Sequence, residues 1–478
     1  MASTNFARGA RVRETQKGLT PANPVFRNMY GRQLGLAPND PFGRSEVITG
    51  DRGVQEQLRL GASAAGNFST EMAGGWTDWI FEGGLFDDFD GFPEAYNVTA
   101  DSSISNIVAS SQTITAAGAW VPGMLVEASG FAAGNGEFTA QASSGSGTLI
   151  APAATFPADV SAPPAGARLL GCGVAGASGD LVGAADGITS TSLNFTLFPF
   201  VPYMQVEIVN LVAGVTFIAT VLGVSANKLT LTDLPSTWAG TAVGQGAGRV
   251  VKIYAYEFAE NGNDVHTESQ IFWNSKTSPL AYELFKGVAV NQLTIPYALN
   301  SLVVPTAQLV GFRGGISETL PSGATFADPL IGTTKQPMKT GDNIARLLEG
   351  GAAAAATACC QQLTLTVNNN LQPVGCLTDD APVDYNEGDS QVTAESVWRF
   401  RDKALIEKYY TGALSSTLIV ASRGGWRYSQ RVHAGVYTAS DASVPGRNQE
   451  HTVRMRMEAQ KHATTGKWFS MGRLRSYL

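Results

Sequence analysis

In the last quarter of the chain, apolar side chains recur at every second position. Leu363, Leu365 and Val367 alternate with Thr364 and Thr366, and Val453, Met455 and Met457 alternate with Arg454, Arg456 and Glu458. A period of two places successive side chains on opposite faces of an extended chain, so each segment reads as a strand with one buried and one wetted face. A fold holding several such strands must be a sheet packed on one side only. The intervening residues agree. Asn368-Asn369-Asn370 is a turn, and Ser396-Val397-Trp398-Arg399-Phe400 is another strand. A helix is expected from Asp402, because the Leu405/Tyr409 and Ile406/Tyr410 pairs share a face at i,i+4, with Gly412 as its stop. Strands from Ser416 to Ser422 and from Trp426 to Val432 flank Arg423-Gly424-Gly425, which reads as a tight hairpin.

A second constraint is an internal correspondence. Trp120-Val121-Pro122-Gly123-Met124-Leu125-Val126-Glu127 matches Phe200-Val201-Pro202-Tyr203-Met204-Gln205-Val206-Glu207 at a constant offset of 80, and Gly166 to Leu170 matches Ala247 to Val251 at 81. Two tandem small β modules are the simplest explanation. They divide the chain into a discontinuous core, 1–97 and 252–478, and two inserted repeats, 98–176 and 177–251. The expected fold class is mainly β: a β-sandwich or barrel core with flanking short helices, interrupted by the two modules.

The remaining segments are read as follows. Met1 to Pro24 is polar and basic, an arm rather than a core strand. Leu58 to Glu71 is a strand, a bend and a strand, followed by an amphipathic helix carrying Met72, Trp76, Trp79 and Ile80 on one side. That helix ends in an acidic tip of Asp87, Asp88 and Asp90, without the loop of a calcium hand. Ser278-Pro279 reads as a helix start, with Leu280 to Phe285 as the helix and Gly287 as its stop, before a strand from Val288 to Ile295. Leu320 to Cys360 reads as a long loop-like excursion with a brief helix at Ile344 to Glu349.

Composition narrows function. Of 478 residues, 53 are Gly and 22 Pro, and 44% are hydrophobic against 15% charged, which suits strands and turns and not a disordered chain. A net charge of -7 argues against a sequence-independent nucleic-acid binder, which needs Lys and Arg to displace counterions. No apolar run is long enough to span a membrane, and Met1 to Arg13 has no apolar core of a cleaved signal, so a soluble protein with no membrane partner is expected. Cys172, Cys359, Cys360 and Cys376 show no metal spacing and read as free thiols. His266, His433, His451 and His462 lack ligand or nucleophile-base spacing. Gly171-Cys172-Gly173-Val174-Ala175-Gly176 satisfies G-x-G-x-x-G, but no helix follows it, and it reads as an inter-repeat linker. Gly466-Lys467 lacks the rest of a phosphate-binding loop. No catalytic, cofactor-binding or metal residue is therefore assigned, no cofactor is expected, and the chain is read as a non-enzyme. Asp379, Asp380, Asp384, Glu387 and Asp389 form the one charged cluster. It is either a solvated hairpin loop or a negatively charged lining or ring-to-ring contact.

The ordered set Leu363 to Leu371, Phe400 to Tyr409 and Thr464-Thr465-Gly466-Lys467, with the opening arm Glu14 to Ala22 and the strand Val288 to Ile295, resembles the tail tube (major tail) proteins of long non-contractile-tailed bacteriophages. The resemblance covers Arg11 to Asn97 and Lys252 to Leu474. It implies hexameric rings stacked into a hollow tube that delivers DNA to the host. It also implies tape measure, tail terminator and distal tail proteins as partners, transient passage of double-stranded DNA without specific binding, and a place in the virion after synthesis in the bacterial cytoplasm. The alternative is a carbohydrate- or receptor-binding β protein of the virion surface. If the chain lines a tube, the arm and the 320–360 excursion are expected between rings. Arg454, Arg456, Arg473 and Arg475 are expected at subunit or ring interfaces, paired with carboxylates, with acids on the inner wall.

Overall fold

The computed structural model describes residues 7–44, 57–89, 94–99, 104–142, 144–164, 166–175, 181–202, 204–212, 215–232, 234, 238, 250–254, 257–275, 281–328, 336–353, 359–400, 403–424, 426–442, 447, 450–463 and 466–475. Strands dominate it, with two short helices, α1 (Asp78–Leu85) and α2 (Ala404–Thr411).

The core is built on two long strands that each serve two sheets. Tyr282–Ala298 uses its C-terminal part in a main antiparallel sheet. Strand order there is Gln33–Pro38, Ala64–Ser69, Thr306–Gly311, Tyr282–Ala298, Cys360–Asn368, Gln391–Arg399, Thr452–Ala459 and the C-terminal end of Trp426–Asp441. The N-terminal half of Trp426–Asp441 instead runs between Ser415–Arg423 and Phe469–Arg475, in a second sheet edged by Ile344–Glu349 and Glu257–Glu260. Alternation gives each sheet an apolar inner face, and the two inner faces share one core. Leu363, Leu365, Val367, Val453, Met455 and Met457 from the first sheet meet Ile419, Tyr428, Val432, Phe469 and Met471 from the second. Each fully buried side chain of this size contributes about 1.5–3 kcal/mol. α1 lies within this core, burying Trp79, Ile80 and Phe81, and its last carbonyls are closed by Phe86 in the left-handed conformation.

The N-terminal part of Tyr282–Ala298 enters a third, mixed sheet with Arg313–Ser317, Glu268–Asn274, Ala7–Arg13, Val25–Met29 and Thr325–Ala327. The change of direction is made by a bulge. Glu268 faces Val288 but Gln270 faces Phe285, which sets Lys286 and Gly287 against Ser269 alone. Gly287 has φ 61°, and a Cβ there would fall 2.3 Å from the Phe312 ring. The buried Glu14 carboxylate accepts the Gly287 N–H at 3.0 Å and the Gly18 N–H at 2.7 Å, so one acid fixes both the bulge and the turn of the arm.

Residues 97–253 form a body with its own core. Its large sheet runs Gly136–Thr139, Met124–Ser129, Arg168–Ala175, Val250–Ile253, Gln205–Val212, Val215–Ser225, Lys228–Thr232, Gly187–Thr189, Val182–Ala184, with Asn97–Thr99 beside Arg168–Ala175. Ser146–Ile150, Thr113–Ala119 and Ile104–Val108 make a smaller sheet. Positions 80 apart occupy matching places, Val126 in Met124–Ser129 and Val206 in Gln205–Val212, with Met124 opening the first strand and Met204 just before the second, all four buried. The two halves meet where Gly173-Val174-Ala175 pairs antiparallel with Val250-Val251-Lys252.

Several expectations are corrected. Gly171 to Ala175 is not a linker but part of the strand that joins the halves. Leu280 to Phe285 is not a helix: residues 282–298 are one strand, and 278–280 lie outside the described residues. Short apolar runs are ambiguous between helix and strand, and pairing on both sides decides. Ile344–Glu349 is likewise a strand, because pairing with Ser415–Arg423 seats Leu348 against Leu418 and outweighs good helix formers. The 320–360 excursion thus holds strands Thr325–Ala327, Ile344–Glu349 and Ala352–Ala353. The arm is in part a sheet strand, Ala7–Arg13, with Ala10 fully buried. Met72 and Trp76 precede α1 and do not belong to it. The hairpin that joins Ser415–Arg423 to Trp426–Asp441 and the Gly412 cap stand as expected, with Arg423 facing Trp426 and Gly412 at φ 63°, while Gly425 lies outside the described residues.

Candidate functional site

The face of the main sheet opposite the core is open and polar. It carries Gln308, Thr294, Gln362, Thr364, Thr393, Glu395, Arg399, Arg454, Arg456 and Glu458, all exposed or half-buried. Its charged side is balanced. Glu395 faces Arg456 and Asp441 faces Arg454 in cross-strand register, Arg456 lies 3.6 Å from Glu458, and Arg399 lies 2.7 Å from Glu450. Opposite charges directly across strands hold each other with a few tenths of a kcal/mol to about 1 kcal/mol. Gln362, Glu395, Asp441, Arg454 and Arg456 ring a shallow depression of about 320 Å³. Both edges of this sheet are open among the described residues. Gln33–Pro38 pairs only with Ala64–Ser69, and Val436 to Asp441 pairs only with Arg454 to Glu458.

Across the sandwich, the outer face of the second sheet is covered by residues 205–254. Ile218 and Tyr254 pack on Leu348, Leu418 and Val420. Arg431 donates to the Thr220 hydroxyl, Arg346 lies 3.7 Å from Glu207, and the Arg427 guanidinium stacks 3.9 Å from the Tyr254 ring centre while donating to its carbonyl. The solvated sheet face and the 97–253 body therefore lie on opposite sides of the core.

The acidic cluster lies on and just after a hairpin, Gln372–Gly375 with Pro382–Asn386, and two of its five acids are ion-paired within the chain. Asp380 pairs with Arg59 at 3.0 Å and Arg313 at 3.3 Å, and Asp384 pairs with Lys17 of the arm at 2.7 Å. Tyr385 anchors the hairpin by donating to the Gly287 carbonyl at 2.6 Å.

The expected interface arginines separate. Arg454 and Arg456 lie on the solvated face. Arg473 does not lie at an exposed interface: it donates to Asp78 inside the core, beside the Tyr428 hydroxyl and over the Phe89 ring. Its strand position alternates inward toward α1, which sequence alternation alone could not distinguish from an outward position. The side chain of Arg475 lies outside the described residues. This buried network extends along α1. Burial, reinforced by the Asp78 charge, pushes the Glu82 carboxyl up to about 7, and burial beside Arg13 holds His266 down to about 4. Of the acidic tip, Asp87 accepts the Glu260 N–H at 2.8 Å, Asp88 pairs with Arg13 at 2.9 Å, and Asp90 lies outside the described residues.

The other singled-out groups are dispersed. His433 is buried against the Ser470 hydroxyl at 2.8 Å, and His451 approaches the Ala442 carbonyl at 3.1 Å. All four cysteines are free; Cys172 is buried, Cys359 and Cys376 are exposed, and burial pushes the Cys360 thiol up to about 12. Among the described residues, no three His, Cys, Asp or Glu side chains converge as metal ligands would. Among the described residues, no helix is long and apolar enough to cross a membrane.

No curated protein matches the chain. Residues 217–428 match the family described as phage tail tube protein. The match starts in Val215–Ser225 and ends in Trp426–Asp441, so it spans the junction between the body and the core, and it takes in residues 217–251 that the sequence resemblance left out. The match is a likeness of this part of the chain, less than half of its length, to phage tail tube proteins.

Proposed function

We propose that the chain forms closed rings, hexameric by resemblance, that stack into the hollow conduit of a long non-contractile tail. The observation that carries this reading is the main sheet: it is open at both edges and bears a polar, charge-balanced outer face. An exposed edge is a template for another strand, and a closed ring removes edges altogether. Pairing Gln33–Pro38 of one subunit with Val436 to Asp441 of its neighbour would continue the sheet around the ring, with the solvated face lining the lumen. Three acids, Glu395, Asp441 and Glu458, offset three arginines, Arg399, Arg454 and Arg456, so passing phosphates would meet no unbalanced cationic patch. Residues 98–176 and 177–251, read as two inserted repeats, would then face outward. Tape measure, terminator and distal tail proteins would be its partners at assembly, and double-stranded DNA would pass without specific binding.

Negative-stain microscopy of the purified protein tests the reading. Rings or tubes are expected. Isolated particles at every concentration would favour a carbohydrate- or receptor-binding virion protein instead.

A further inference from the structure

Two unlike surfaces sit at opposite ends of the main sheet. Register fixes the ends: Gly311, Ala64 and Pro38 lie side by side at one, and Thr306, Ser69 and Gln33 at the other.

At the first end, the 372–386 hairpin stands beside a smaller one, Phe42–Arg44 with Gln57–Arg59. They are locked together by the Ala62 N–H to the Asp380 carbonyl at 2.6 Å and by Arg59 to Asp380. Between them they expose Phe42, Leu58, Leu60, Val374, Val383 and Leu377, the last fully exposed at the hairpin tip. A cluster of large apolar side chains held out by ion pairs is costly to leave in water and marks a contact surface. Asp379 follows two residues after Leu377 and is exposed.

At the other end, Arg32 donates its backbone N–H to Ser69, and next to it opens a pocket of about 570 Å³. Met29, Tyr30, Leu34 and Trp76 give it apolar and aromatic walls, and the exposed Arg8 and Arg32 stand at its rim. Its two acids are Glu71 and Asp328, the latter bonded by Asn28 at 3.0 Å and Tyr30 at 2.6 Å, so they match the two arginines in number, and Arg8 and Arg32 are the cations offered at the rim.

We propose that the hairpin of one copy seats Leu377 in the Tyr30–Trp76 pocket of the next, with Asp379 toward Arg8 and Arg32, so that copies stack head to tail along the strand direction. The occupant is a second copy because tip and pocket lie on one chain, at opposite ends, with matched polarity. Such a contact is heterologous and continues without limit, as a tube requires. The inference rests on the self-assembly reading and specifies which surfaces carry stacking.

The test compares the parent protein, L377D and R8E/R32E by sedimentation and microscopy. All three substituted side chains are exposed, so the fold tolerates the changes. L377D should raise the concentration needed for long assemblies at least about tenfold, as loss of one buried leucine contact does. Preformed assemblies of L377D mixed with preformed assemblies of R8E/R32E bring together one good set of pockets and one good set of tips, so growth should stop after a single stacking contact. In an N28C variant, a short bismaleimide should join native Cys376 of one copy to the thiol introduced in the pocket of the next and give a ladder of multimers. Tubes of L377D at the parent's concentration, long tubes from the mixture, or no ladder would each overturn the stacking contact while leaving self-assembly intact. A parent protein that never associates would overturn both.

Discussion

The second core sheet buries both of its faces, but with opposite chemistry. Its inner face is apolar. Ile419, Ala421, Val432, Phe469 and Met471 fill the space around α1; of the polar groups that enter it, Asp78 holds both Arg473 and the Tyr428 hydroxyl, and Gln430 accepts from the Tyr297 hydroxyl while its Nε2 finds no partner among the described residues. Its outer face, under residues 205–254, carries Leu418 and Val420 but also Arg427, Ser429, Arg431 and His433. There, Arg427 Nε and Ser429 Oγ find no hydrogen-bond partner among the described residues. Burying polar groups with incomplete pairing costs free energy, so such a face adds less net stability than an apolar one of equal area. The inner face has the chemistry of a continuous apolar core, and the outer face has the mixed chemistry expected of a junction that can part.

The comparison breaks first at Asp78. D78A would remove the carboxylate from the half-buried Arg473 guanidinium over Phe89 and leave the buried Tyr428 hydroxyl without its acceptor. Breaking a buried pair by removing one partner costs about 3–5 kcal/mol. Denaturant unfolding should show that loss as one cooperative shift of the whole core. A loss under about 1 kcal/mol would mean that the inner face is not the tightly engaged one.

The outer face is sharpened at Ile218, which is buried against Leu348, Leu418 and Val420. I218A should cost about 2–4 kcal/mol locally, by lost burial and the cavity left behind. Its signature should differ in kind from that of D78A. Residues 97–253 have their own core, so unfolding should divide into two steps, with protease cutting first near the junction. A single transition that merely moves to lower denaturant would show that the junction is part of one cooperative core.

What the sequence made legible follows the same division. Leu363 to Val367 and Val453 to Met457 each bury one face, so alternation predicted both the strands and the solvated face. The 80-residue correspondence located matching strands. It did not predict that the two halves pair through Gly173 to Ala175, because a strand buried on both sides shows no alternation and its glycines read as a linker. Ile344 to Glu349 and Leu280 to Phe285 were misread for a related reason. Their residues favour helix locally, and only distant strands make them extended. The arm strand Ala7–Arg13 is held by Glu268–Asn274, some 260 residues away, with Arg11 bound to Glu268, and no local pattern announces such a partner. Candidate surfaces were legible only as polarity. That Arg473 points inward and Arg456 outward depends on which face each strand turns to the core.

The smallest predicted effect lies in pH and concerns the inner face alone. Glu82 is buried with Asp78 as its nearest like charge, and Arg11 and Arg473 offset this only in part, so its folded carboxyl titrates near 7 instead of 4.5. The folded chain therefore holds this proton while the unfolded chain releases it. The contribution is complete below about pH 4.5 and is lost as pH rises through about 7. His266 runs the other way. Burial and Arg13 hold it down to about 4 against the pull of Asp88 and Asp264, so its contribution is complete above pH 6.5 and is lost as pH falls through about 4. Between about pH 4.5 and 6.5 the two slopes oppose each other, and the parent's stability should change little through them. E82Q keeps the shape and the contact with the Phe89 N–H but deletes the first slope. Its stability relative to the parent should climb by on the order of 2 kcal/mol from pH 4.5 to 6.5, because each pK unit is worth about 1.4 kcal/mol. Other carboxylates titrate in both proteins and cancel in the difference. Urea midpoints at half-unit steps of pH would decide it. Parallel curves for E82Q and parent would place Glu82 in contact with water and end the claim that the inner face is dry around α1.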